Sequence, residues 1–273
     1  MRARKRFGQH FLHHKAILER IADALLPPSS LLPPPSSLVL EIGPGQGAFT
    51  EILARRGARV VAIEKDRDLA PLVQQRLPAV RVVVGDALEL DWRAAAGAGP
   101  DEPLLLTGNI PYNITSPLLA KALAPPLPLR IVFLVQEEVA DRLAAAPGSN
   151  AYGALTVGIQ AVARVEKLMK VPAGAFHPRP KVDSAVVRLT PLAEPLVPES
   201  LGPALRRMTV GLFGFRRKQL GRGLRELTGW SPERVAGLIQ RAELDPVARP
   251  ETLAPAAFVR LLTVLIDEGW MPG

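Results

Sequence analysis

The sequence predicts an α/β protein: a doubly wound, mostly parallel seven-stranded sheet followed by a small all-helical domain. Three observations predict it. Short runs rich in Val, Ile and Leu alternate with helical segments over residues 38–145, the pattern of strand–helix–strand units. The first run ends in a glycine-rich turn, Gly43-Pro44-Gly45-Gln46-Gly47. Beyond residue 203 only helical signals remain.

In chain order, residues 15–26 read as an amphipathic helix with Ile17, Ile21, Ala24 and Leu25 on one face. The Pro/Ser-rich stretch 27–37 is a connector. Strands are expected at 38–42, 59–63, 80–84, 104–107 and 130–135. Helices are expected at 49–56, 69–76, 116–122 and 137–145. Residues 162–171 and 184–189 supply two final strands that could pair antiparallel. Between them, Phe176-His177-Pro178-Arg179-Pro180-Lys181 is too proline-rich for a sheet interior. Tail helices are expected at 204–212, 216–227, 232–242 and 255–266, the third opened by Ser231 as N-cap and Pro232 at the first helical position. The expected domains are therefore 1–190 and 204–273, with 191–203 as a linker.

The chain has 273 residues, 48% hydrophobic and 22% charged, enough for a sizeable core. No apolar run reaches the roughly 18–20 residues of a membrane span. The basic N-terminus leads into Phe7-Gly8-Gln9-His10 rather than an apolar signal core. A cytoplasmic protein without a membrane partner is expected. There is no cysteine, which excludes disulfides, thiolate zinc sites, cysteine nucleophiles and the zinc deaminases of nucleobases. No metal is expected.

The net charge is +8, which favours a polyanionic partner. Its distribution is uneven. Six basic residues stand against one acidic in the first twenty, and eleven against seven from Leu201 onward. The body between them is near neutral.

The chemistry concentrates at the strand ends, where open α/β sheets bind ligands. Gly43 and Gly45 let a ligand approach the backbone after the first strand. That turn also fits a dinucleotide fingerprint through Ala48, so a nicotinamide cofactor stays open at this point. Glu64 ends the second strand and can accept both hydroxyls of a ribose. Asp86 ends the third and suits the exocyclic amine of a bound adenine. A helix N-cap is the plainer role for that aspartate. Together the three positions read as a Rossmann-like methyltransferase that uses S-adenosylmethionine. After the fourth strand comes Asn109-Ile110-Pro111-Tyr112-Asn113. The Asn109 oxygen and a nearby backbone carbonyl can accept the protons of an adenine N6 amine and free its delocalised lone pair. Pro111 fixes the backbone direction, and Tyr112 can stack on the base. Phe176 could stack on the other face. Arg179 and Lys181 suit phosphates, and His177 is assigned a structural role.

With Phe7-Gly8-Gln9-His10-Phe11-Leu12, Gln136-Glu137-Glu138-Val139-Ala140-Asp141-Arg142 and the stretch from Phe176 to Arg188, these motifs resemble the ribosomal RNA adenine N6,N6-dimethyltransferases. The resemblance spans Phe7 to about Leu189. It implies that Gln9, His10 and Leu12 close over the methionine end of S-adenosylmethionine, with Gly43 beneath and Asn109 at the cofactor's reacting end. The family's opening motif often has Asn where this chain has His10, and either could contact the cofactor through backbone atoms. Two methyl transfers onto each of two adjacent adenosines in the 3′-terminal hairpin of small-subunit rRNA are also implied, within a pre-ribosomal 30S particle and by a monomer. Arg4, Lys5, Arg6, Arg216, Arg217 and Lys218 are the further candidate RNA contacts. Related large-subunit rRNA methylases share the Asn-Ile-Pro-Tyr centre, and a non-catalytic nucleic-acid-binding relative is the more distant alternative.

Overall fold

The computed structural model describes residues 9–26, 37–99 and 101–271. The chain forms two units, Met1–Ala140 with Glu166–Pro191, and Asp141–Val165 with Leu192–Gly273.

The first unit is built on strands β2 (Leu38–Ile42), β3 (Arg59–Glu64), β4 (Arg81–Val84), β5 (Leu104–Asn109), β6 (Arg130–Gln136) and β9 (Ser184–Pro191). With β7 (Ala163–Val171) they make a seven-stranded sheet in the order β4-β3-β2-β5-β6-β9-β7. The pairs β2–β3, β3–β4, β2–β5 and β5–β6 are parallel, and β6–β9 is antiparallel. β2 is buried along its whole length, as expected of a central parallel strand covered on both faces. After β2 the chain builds outward to β3 and β4, then returns to place β5 on the other side of β2. That reversal opens a crevice at the strand ends. Register brings its walls level, pairing Ile42 with both Ile63 and Gly108, Glu64 with Val84, and Asn109 with Leu134.

Helix α1 (Lys15–Leu25) buries Leu18, Ile21, Ala22 and Leu25. The expected face is thus turned by about one residue, with Ile17 and Ala24 only partly buried. Ion pairs lie on the face beside the buried one. Glu19 and Asp23 on α1 reach Arg56, just beyond α2 (Ala48–Arg55), each at 2.6 Å. The acids and the apolar stripe thus occupy different faces of the helix, as in an amphipathic surface helix. The remaining helices of this unit are α3 (Leu69–Arg76), the short α4 (Trp92–Ala96), α5 (Thr115–Ala122) and most of α6 (Glu137–Leu143). A separate two-residue ladder joins β1 (Phe11–Leu12) to β8 (Phe176–His177), with Leu12 opposite Phe176 and Phe11 opposite His177.

The second unit is helical: α7 (Ala154–Gln160), α8 (Gly202–Phe213), α9 (Leu220–Thr228), α10 (Pro232–Arg241) and α11 (Pro255–Asp267). Its core holds Tyr152, Val157, Leu205, Met208, Leu212 and Phe258. Tyr152 donates its hydroxyl to Leu253 O at 2.7 Å. Val197 is also buried there, and residues 199–201 form a helical turn. The stretch 191–203 thus begins at the boundary between the units and is mostly exposed, with Val197 anchoring it to the helical core. Residues 141–165 also fall in this unit, which moves the sequence boundary. α7 escaped sequence reading because a seven-residue run carrying Gly158 and β-branched residues shows no helical period.

Candidate active site

Two adjoining recesses lie at the β2–β5 strand ends, the edge where open α/β sheets bind ligands. Both are lined by Phe11, Gly43, Gly45 and Asn109. The larger adds Gln9, His10, Glu64, Lys65, Asp86, Pro111 and Tyr112. The smaller adds Leu12, Glu41, Gln46 and Gly108.

The glycine turn forms their shared floor. Gly43 has φ +69°, and a Cβ there would point into open space. Gly45 has φ +57°, and its Cβ would come within 2.8 Å of the Phe11 ring. Bare backbone is thus needed at Gly45 for the N-terminal segment to lie across the site. Gly108, on the facing strand, is the other tight point. A Cβ there would meet Ile42 O at 2.5 Å, so a side chain would force β2 and β5 apart. Nothing in local sequence periodicity marks Gly108, because the constraint comes from the neighbouring strand.

Glu64 is buried, 6% exposed. One carboxylate oxygen accepts the Gly45 N–H at 3.1 Å, the other the Asp66 N–H at 2.8 Å. Burial raises its pKa above the usual carboxylate value, and those backbone bonds work against the rise. Asp86 is held differently. Its Oδ1 accepts the Leu88 N–H at 2.9 Å, and its other oxygen pairs with Lys65. Lys65 is the main cause of its lowered pKa. Asp86 thus closes a local turn and also faces the cleft. Each carboxylate oxygen keeps a lone pair for a further donor.

Glu41 was missed by sequence reasoning. It is 3% exposed, and its Oε2 is buried with no hydrogen-bond partner. Burial, with Glu64 nearby, raises its pKa to about 7. A buried carboxyl with one oxygen left without a hydrogen bond, beside a glycine floor, suits a cationic group. The site therefore fits the cofactor that its strand-end acids predict, with Glu64 and Asp86 at one end and the buried Glu41 at the other. Its only sequence signal was an acidic residue inside an otherwise apolar strand.

The N-terminal segment is tied across this floor. Gln9 Nε2 donates to Asp66 Oδ2 at 2.9 Å, and Leu12 is buried. His10 O accepts the Asn109 side-chain amide at 2.7 Å. A carbonyl can only accept, so the Asn109 NH2 must face His10. Asn109 Oδ1 is engaged by no hydrogen bond among the described residues. Tyr112 Oη lies 3.1 Å from Ser184 Oγ, and its ring stacks with His10 at 6.2 Å between centroids and 23° between planes.

Phe176 sits elsewhere. It is 4% exposed and packed with Leu12, Leu18, Val171 and Val186, and it lines neither recess. The expected second stacking face is therefore core in this structure, because the β1–β8 ladder covers the ring. Arg179 and Lys181 are exposed on the loop before β9. Arg217 and Lys218 are exposed in the second unit. Arg216 is instead tied to Glu251 at 2.9 Å and to Asn150 O at 3.2 Å, which gives it a structural role whatever else it touches. Arg4, Lys5 and Arg6 lie outside the described residues. No helix among the described residues is long and apolar enough to cross a membrane.

The strand order and the acids at successive strand ends define a Rossmann-like S-adenosylmethionine-dependent methyltransferase. The chain belongs to a family within that class: the model described as "Ribosomal RNA adenine dimethylase" matches residues 1–267. It is 43% identical to the Pseudomonas aeruginosa ribosomal RNA small subunit methyltransferase A, with 100% of this chain and 97% of that protein covered. It is 44% identical to the protein of the same name from Phenylobacterium zucineum, covering 95% and 87%. Among solved structures, a Plasmodium falciparum dimethyladenosine transferase matches with a TM-score of 0.78 at 25% identity, covering 95% of this chain and 98% of that one. The 23S rRNA methyltransferase ErmE matches with a TM-score of 0.70 at 29% identity, covering 94% and 99%.

Proposed function

We propose that this protein dimethylates N6 of two adjacent adenosines in the 3′-terminal hairpin of small-subunit rRNA, within a pre-ribosomal 30S particle. The orientation of the Asn109 amide carries the proposal. Its NH2 is committed to His10 O, so its oxygen is the end left for the reacting amine. Accepting an N6 proton there favours a pyramidal nitrogen and exposes the lone pair. S-adenosylmethionine supplies a methyl group on a positively charged sulfur, an electrophile that needs no further activation. Gly43 and Gly45 give the cofactor a bare floor, Glu64 takes its ribose hydroxyls, and Asp86 takes its adenine amine. Gln9, His10 and Leu12 belong to the segment that covers its methionine end, over a floor that holds the buried carboxyl of Glu41. Pro111 directs the backbone toward the amine, and Tyr112 gives the target base a stacking face. The chain's task is alignment and exclusion of water.

Small-subunit rRNA is favoured because relatives sharing at least 40% identity across nearly the whole chain carry that name, while the large-subunit enzyme is 29% identical. Exposed Arg179, Lys181, Arg217 and Lys218 are assigned to phosphate contacts, as are Arg4, Lys5 and Arg6 in the basic N-terminus. The protein is proposed to act as a cytoplasmic monomer. Primer extension on both rRNAs after incubation with S-adenosylmethionine tests the reading. Stops at two adjacent adenosines near the small-subunit 3′ end are expected. Stops confined to large-subunit rRNA would establish the resistance-type specificity, and no stop on either RNA would favour a binding protein without catalysis.

A further inference from the structure

Strand register sets where the Asp86 turn begins, and side chains from two helices set how that turn is held. The peptide joining Ala87 to Leu88 is fastened at both edges. Its N–H donates to Asp86 Oδ1 at 2.9 Å, and its carbonyl accepts from Trp92 Nε1 at 2.7 Å. The next carbonyl, Leu88 O, accepts from Lys121 Nζ at 2.9 Å. Lys121 Nζ also lies 5.6 Å from the centre of the Trp92 ring, within reach of a cation–π attraction.

We infer that Lys121 is a positioning residue for the cofactor: with Trp92 it holds the Asp86 turn in the arrangement that reads the amine of adenine. This rests on the reading that Asp86 takes that amine. Three observations carry it. First, the contact is specific. Lys121 stands in the last turn of α5, where the helix dipole favours a cation whatever it touches. Its amine is nonetheless bonded to a carbonyl 33 residues earlier in the chain. α5 presents it from a fixed base, since Thr115, Leu118, Leu119 and Ala122 are buried.

Second, Lys121 and Trp92 hold consecutive peptides and touch each other, so loss of either loosens one turn. A carboxylate that must meet a single amine has to be placed to within about 0.5 Å. Asp86 is oriented by the Leu88 N–H, and that peptide is oriented by the Trp92 ring beneath Lys121. Trp92 is buried, and neither it nor Lys121 lines a recess. Both therefore act through the turn and not on the ligand. Third, the charge of Lys121 reaches Asp86. Lys65 is the main cause of the lowered pKa of that acid, followed by the Leu88 N–H, and Lys121 adds in the same direction. An ionised Asp86 only accepts hydrogen bonds. It welcomes a 6-amino group and repels a 6-oxo group.

The test compares two ligands by calorimetry on the full-length protein. One is S-adenosylhomocysteine, the methyl-free product. The other is S-inosylhomocysteine, its deaminated analogue with a 6-oxo group in place of the amine. Wild type should prefer the first by about a hundredfold or more, because an acceptor left facing a carbonyl oxygen has no partner. Lys121→Met keeps the apolar stem and removes donor and charge. It should weaken S-adenosylhomocysteine about fivefold or more and leave S-inosylhomocysteine within about twofold. The preference then shrinks by about the same fivefold. Lys121→Arg, which can still donate to Leu88 O, should keep the preference within about twofold of wild type. Trp92→Phe, which loses the Nε1 donor, should shrink it as Lys121→Met does. Each affinity is measured below that variant's melting midpoint.

A preference in Lys121→Met equal to wild type overturns the inference, even if both affinities fall together, because Lys121 would then support the fold in general. A preference in Lys121→Arg as low as in Lys121→Met also overturns it. Asp86→Ala separates the two levels and should abolish the preference. If it does so while Lys121→Met discriminates like wild type, the role of Lys121 alone is lost. If Asp86→Ala discriminates as well as wild type, the adenine reading of Asp86 fails, and the inference with it.

Discussion

The two halves of the cleft are built on different principles. The donor half lies on β2, β3 and β4, where strand register alone sets a glycine turn and two acids side by side. The acceptor half is assembled by side-chain bonds between distant segments. Asn109 reaches His10 across 99 residues, Tyr112 reaches Ser184 across 72, and His10 reaches Pro178 across 168. A sheet edge gives a rigid cofactor seat. The half assigned to the RNA is thus the half that depends on contacts between segments far apart in the chain.

Removing a residue from one half should leave the other working. Asn109→Ala breaks the acceptor half and should lower the methyl-transfer rate about a hundredfold or more, with affinity for S-adenosylmethionine changed by less than about threefold. Steady-state kinetics alongside calorimetry resolve the two.

Glu41 tests the floor of the donor half. Burial raises its carboxyl from 4.5 to about 7. Between those values the folded chain keeps a proton that the unfolded chain has released. The ligand-free protein should therefore lose stability as pH rises from about 4.5 to about 7, by up to roughly 3 kcal/mol. Glu41→Gln should flatten that loss, so that denaturant midpoints at pH 5 and pH 8 move closer together than in wild type. An unchanged difference would mean that the carboxyl titrates as an ordinary exposed acid.

Glu64→Ala should weaken S-adenosylmethionine binding roughly tenfold or more, the cost of losing hydrogen bonds to a charged acceptor. It also strips the acceptor from the Gly45 and Asp66 N–H groups. Calorimetry should show the loss. An affinity equal to wild type would remove Glu64 from the cofactor site.

The same contrast explains what the sequence could reveal. The donor half was legible because each of its signals is local: an apolar run, then Gly43 and Gly45, then an acid where a strand ends. The central strands β2, β5 and β6 were legible for the same reason, since a buried parallel strand is a continuous apolar run. Gly108 was silent because its constraint is Ile42 on the next strand. Phe176 misled because an aromatic beside a proline-rich loop looks exposed until Leu12 is seen to pair with it. Glu41 was visible only as an acid in a strand, and its unpartnered oxygen exists only once the sheet closes over it. Residues 141–165 carried no domain signal, because the packing that places them with the helical unit lies from Val197 to Leu265.

The direct test of the two-half account is the single-turnover methylation rate of Asn109→Ala and of Glu64→Ala, each measured on small-subunit particles with S-adenosylmethionine raised to saturation. The account predicts that Glu64→Ala recovers to within several-fold of wild type once its cofactor site is filled, while Asn109→Ala stays about a hundredfold slow at any cofactor concentration. Recovery of Asn109→Ala at high S-adenosylmethionine would contradict it, by placing that amide in the donor half.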